Sequence, residues 1–237
     1  MDTQIAAKPW YAKPAEEPRH LGWAAGGAAA VAHSVLIGVG VWLATGGGSA
    51  APALITHVGS ASGMLRPATL SAYTTGTRCI EGTSFQSGPI IHRQGGCTGW
   101  GFSAAGDQGD FMVSVDVYLA PPGTKAATVE KTAHGYLASS MQGFLKADTD
   151  FARIVGKHAV SGIGDEAYVV DEVNKDGTNG IAKLMIRFQN SEILCEYTGS
   201  HVATPNSPFS QRVAATPQYA EKAAAACGQD AVAALRT

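Results

Sequence analysis

Residues 21–44 of this 237-residue chain run 24 positions without an Asp, Glu, Lys or Arg. Wound into a helix at 1.5 Å per residue, that stretch reaches about 36 Å, enough to cross the roughly 30 Å hydrocarbon layer of a bilayer. No other segment limits the possible architectures as strongly. It predicts one transmembrane helix over 21–44, a tail over 1–20, a flexible linker over 45–65 and one folded domain over 66–237.

The flanks set the orientation. Lys8, Lys13 and Arg19 precede the span, and no Lys or Arg follows it until Arg66, so the positive-inside rule places the N-terminus in the cytoplasm and the large domain outside the cell membrane. The tail carries Pro9, Pro14 and Pro18 among scattered charges and reads as disordered. The Thr-Gly-Gly-Gly-Ser run at 45–49 reads as a tether. Ala51-Pro52-Ala53 has the small-x-small form of a cleavage site, but Glu16 and Glu17 and the long preceding segment favour a retained anchor. A lipid anchor is not expected, because the first cysteine after the apolar stretch is Cys79. Within the span, Gly22, Gly26, Ala30, Ser34 and Gly38 form a small-residue row that would let two helices approach closely. An Ala/Gly-rich composition accounts for the same row at least as well as a homo-oligomer contact does.

With 17 basic against 19 acidic residues and a formal charge of −2, no basic face is forced, and nucleic acid is not an expected partner. Phe111, Val113, Val115, Val117 and Leu119 alternate with more polar residues, the period of a strand with one buried face. Pro121-Pro122-Gly123 ends it. Thr124 then caps a predicted helix whose Val129, Ala133, Leu137, Met141 and Phe144 recur at helical spacing, with Gly135 and Gly143 weakening it. Three further strands, 166–173, 181–188 and 191–198, form a predicted antiparallel meander turned at Gln189-Asn190. Thr216-Pro217 opens an Ala-rich helix reaching Cys227 or beyond. The expected fold class is α+β, an antiparallel sheet flanked by helices.

All four cysteines, Cys79, Cys97, Cys195 and Cys227, lie in the exported part, where disulfides persist. Of the three possible connectivities, Cys79 with Cys97 and Cys195 with Cys227 is expected. A zinc cluster of Cys79, His92 and Cys97 lacks the usual ligand spacing. Gly162-x-Gly164-x-x-Ala167 matches a dinucleotide fingerprint in form, but a strand follows it where a helix is required, so it reads as a turn. Glu172-x-Asn174-x-Asp176-Gly177 resembles the opening of a calcium loop, yet Lys183 stands where the closing carboxylate belongs, so a hairpin loop is expected. Asp165 and Glu166 are expected to accept backbone amides beside the Gly162/Gly164 turn, and Trp100 to pack on a disulfide or a sheet face. His57, His134, His158 and His201 are isolated in sequence. No catalytic, cofactor-binding or metal-binding residue is assigned, and no cofactor is expected.

The order Cys79, Cys97-Thr98-Gly99-Trp100, a long strand, a helix, Val160-Ser-Gly-Ile-Gly-Asp-Glu-Ala-Tyr168 and a closing meander resembles extracytoplasmic domains of high-GC Gram-positive bacteria. Two groups share it: exported lipoproteins with a Cys-x-Trp segment, and sensor domains of receptor-type serine/threonine kinases. The resemblance implies a PsbP/Mog1-like arrangement and a binding or sensing role, with no catalytic residues to carry over; a lipobox cysteine is absent here. The expected function is a single-pass, membrane-anchored extracytoplasmic domain that binds an envelope component or a protein partner without catalysis. An envelope hydrolase and a passive scaffold subunit of a membrane assembly are the alternatives.

Overall fold

In β3 (Asp107–Tyr118) every second residue from Phe111 to Val117 is buried, so the predicted alternation forms an inner strand of the sheet. The computed structural model describes residues 54–75, 78–99, 103, 106–146, 151–204 and 207–236. The expected tail, the span 21–44 with its Gly22, Gly26, Ala30, Ser34 and Gly38 row, and Trp100 all lie outside the described residues. Among the described residues no helix is long and apolar enough to cross a membrane.

The fold is α+β. A short helix, α1 (Pro67–Tyr73), precedes β1 (Arg78–Ser87), β2 (Ile90–Thr98) and β3. Helix α2 (Ala126–Lys146) leads to β4 (Ala152–Val160), β5 (Glu166–Asn174), β6 (Gly180–Phe188) and β7 (Ser191–His201). The two-residue β8 (Val213–Ala214) and helix α3 (Pro217–Leu235) complete the chain order. The sheet runs β1-β2-β3-β7-β6-β5-β4, with β8 added at the end of β7, and the pairings are antiparallel. Strands β1 and β4 are its two edges.

Each face of the sheet is covered by one long helix. Helix α3 lies on the face that presents Val113, Leu184, Ile186, Ile193 and Cys195, and offers it Ala220, Ala223, Ala224, Cys227, Gly228 and Ala231. These small residues let the helix sit close: a Cβ on Gly228 would come within 2.6 Å of Ile186 Cδ1 and 2.8 Å of Leu184 Cδ2. Thr216 caps this helix, its Oγ1 accepting the Tyr219 amide, with Pro217 in the first turn. Helix α2 covers the opposite face through Val129, Ala133 and Leu137, against Tyr118, Val170 and Met185. Full burial of a Val, Leu or Ile side chain contributes on the order of 1.5–3 kcal/mol, so the central strands dominate the stability. At one end of the α3 face, Tyr73, Phe111, Tyr197 and Tyr219 pack edge-on or tilted with ring centroids 5.1–6.2 Å apart. Gly109 and Gly199 leave the space that the Tyr197 ring occupies.

Two expectations are corrected. The folded unit begins well before residue 66: Ile55, Val58, Met64 and Leu65, assigned to the linker, are buried in the main core. Asn190 holds this segment, its Oδ1 accepting the Ile55 amide at 2.8 Å while its Nδ2 donates to the Ile55 carbonyl at 2.9 Å and the Tyr118 carbonyl at 3.0 Å. The small, polar composition of 45–65 concealed a few apolar residues that the core takes up. The second correction concerns Cys195 and Cys227, which are not bonded. Both are buried free thiols, and they lie side by side between β7 and α3, where they pack as small apolar groups. Burial, then the neighbouring Cys195 thiol, pushes the Cys227 pKa up.

Candidate functional site

Edge strand β4 carries a bulge between Ile154 and Gly156, which changes the face its residues present. Ile154 packs on the α2 side with Val170 and Met185, whereas past the bulge Gly156 stands opposite Asp171 and His158 opposite Val169. On β5 the core-facing positions are Ala167, Val169, Asp171 and Val173. A carboxyl therefore occupies a position that the alternation reserves for an apolar side chain. Helix α3 lies over it and contributes Glu221, just past the first turn.

His158, Asp171 and Glu221 each offer one ligand-type atom, and these three atoms lie within 4.8 Å of one another. His158 Nε2 is 3.5 Å from Glu221 Oε2. Asp171 is only 2% exposed, and its Oδ1 has no hydrogen-bond partner. Gly156 makes room for it, since a Cβ there would lie 2.9 Å from Asp171 Oδ2. Burial foremost, then the hydrogen bond and negative charge of Glu221, push the Asp171 pKa up to about 7. Two carboxyl groups this close cannot both stay ionised without a proton or a cation between them. The arrangement can share a proton, or it can present an imidazole nitrogen and carboxylate oxygens to a metal ion.

The other sequence candidates resolve into structural roles. Cys79 and Cys97 stand opposite each other on β1 and β2 and form a disulfide. His92, once considered beside them, instead bonds Asp116 at 2.7 Å and stacks on Phe85. Gly162 and Gly164 have φ of +82° and +63° in a turn leading into β5. Asp165 accepts an amide as expected, but from Gln189 across the sheet at 2.7 Å, and it also pairs with Arg187. Glu166 bonds Arg187 and His134 rather than an amide. In the 174–180 loop Asp176 Oδ1 accepts from the Thr178 amide at 2.9 Å, and Glu172 is engaged by Lys183 at 2.9 Å, so the calcium-loop residues serve a hairpin. His158 is thus the isolated histidine that the fold brings to a carboxylate pair.

Two cavities lie elsewhere. One, of about 720 Å³, opens between Ile55, His57, Met64 and the Leu235–Arg236 end of α3. The other is a shallow apolar groove of about 250 Å³ over Ile80, Gly82, Gly96 and Met112, where glycines leave the sheet bare. No protein-family model matches the chain, and no curated protein matches it.

Proposed function

We propose that this protein is a membrane-anchored extracytoplasmic binding domain, held by one helix over 21–44 with its N-terminus in the cytoplasm. The Cys79–Cys97 bond carries this reading: it ties an exposed edge strand to its neighbour, and such a bond persists in an oxidising compartment. The antiparallel sheet flanked by helices agrees with the sensor-like domains that the sequence resembles. The partner is an envelope component or a protein. In intact cells, a membrane-impermeant maleimide should label a cysteine placed at exposed Ser210 and spare one placed at residue 5. Labelling of residue 5 alone would refute the orientation, and recovery of the chain in the soluble fraction would refute the anchor.

A second reading, an exported enzyme, is favoured by the convergence of His158, Asp171 and Glu221, because imidazole and carboxylates in contact are the usual parts of general acid–base and metal-assisted hydrolysis. Loss of a hydrolytic activity of the purified chain in Glu221→Gln, with binding of the envelope or protein partner retained, would select this reading over the first.

A further inference from the structure

We propose that His158, Asp171 and Glu221 form a binding site for a first-row divalent cation, zinc in particular. The inference deepens the binding reading by naming the ligand of one site, and it rests on that reading only for its biological setting.

Four observations converge on it. The donors come from three elements, β4, β5 and α3, so the site forms only in the folded chain. The Asp171 carboxyl is almost wholly buried and keeps an oxygen without a partner, a condition that is costly when nothing fills it. Glycine at 156 holds open the space that carboxyl needs. Finally, the groups facing Asp171 are Glu221 from the helix and His158 from the edge strand, a donor set rather than a counter-ion.

The chemistry of these donors selects the ion. Calcium takes six to eight oxygen ligands, and magnesium keeps most of its waters in a strict octahedron. An imidazole nitrogen with two carboxylates suits the first-row dications, and zinc accepts three protein ligands with water in the fourth position. Bonds of roughly 2.0–2.2 Å would bring the donor atoms to about 3.4 Å from one another, a contraction from the 4.8 Å limit in this structure. His158 and Glu221, whose side chains are partly exposed, can make that movement while Asp171 stays fixed.

The test is calorimetric titration of the full-length chain, purified in detergent, with zinc chloride at pH 6.5. One zinc per chain is expected. Asp171→Asn, Glu221→Gln and His158→Ala should each weaken binding by at least about tenfold, the scale on which even outer-shell groups act, while His134→Ala on α2 should leave it unchanged. Cobalt(II) substituted for zinc should give a visible absorption band that the same three substitutions remove. A titration without saturable one-to-one uptake, or one that the three substitutions leave intact, overturns the site. His158→Ala removes only a half-exposed side chain, so its loss of binding cannot be ascribed to misfolding. Because uptake is read in detergent, its failure is distinguishable from a failure of the membrane orientation.

Discussion

Asp171 shows how one side chain can set the pH dependence of the whole fold. In the unfolded chain it loses its proton near the ordinary aspartate value of 3.8, while in the folded protein burial and Glu221 raise that to about 7. Between these values the native state holds the extra proton, so its contribution is complete below about pH 4 and lost as the pH rises to 7, at up to about 1.4 kcal/mol per pH unit. Asp171→Asn keeps the shape and can still donate to Glu221. With divalent cations chelated, the variant should be more stable than the natural chain at pH 8 by on the order of 2 kcal/mol, and the difference should shrink at pH 5. Pulse proteolysis in urea at the two pH values measures it, and equal stabilities at pH 8 would show that the carboxyl is not strained there.

Between elements, the contrast falls on two helical glycines. Gly228 is buried against Leu184 and Ile186, whereas nothing lies within 4 Å of a Cβ placed on Gly135. Gly228→Leu should therefore lower stability by about 1–3 kcal/mol through overpacking, and Gly135→Ala should raise it by about 0.5–1 kcal/mol through helix propensity. Urea midpoints of the two variants check both signs. The same elements show what a linear reading can reach. Strands β3 and β7 and both long helices were legible because each has one face more deeply buried than the other, which imprints a period on the residues, whereas β5 and β6, buried on both faces in their middle, were legible as apolar runs set between turn residues. Strand β1 is exposed along its whole length and so carries no period, β4 loses its alternation at the bulge, and α1 has only seven residues. The candidate site was not legible as a motif, since His158 and Glu221 lie 63 positions apart. One signal for it existed: Asp171 interrupts the apolar series Ala167, Val169 and Val173.

For the molecule as a whole, the four cysteines divide into one covalent tie and one pair of core thiols. Denatured without reductant, the chain should take up two equivalents of an alkylating reagent, at Cys195 and Cys227, and four after reduction; native chain should take up almost none, because both thiols are buried. Counting adducts by mass spectrometry decides this, and no uptake before reduction would restore a second bond. The Cys79–Cys97 closure itself constrains the unfolded chain by about 3 kcal/mol, and it does so at an edge where the sheet has little other covering.

The three hydrogen bonds of Asn190 have a mechanical meaning. Tension entering the folded unit ahead of Leu54 meets that amide first, at the Gln189-Asn190 turn and the end of β3, so a pull on the leading chain is carried into the middle of the sheet rather than to a fraying edge. Were the proposed anchor to pull on this domain, the Asn190 side chain would be the latch that passes the load on.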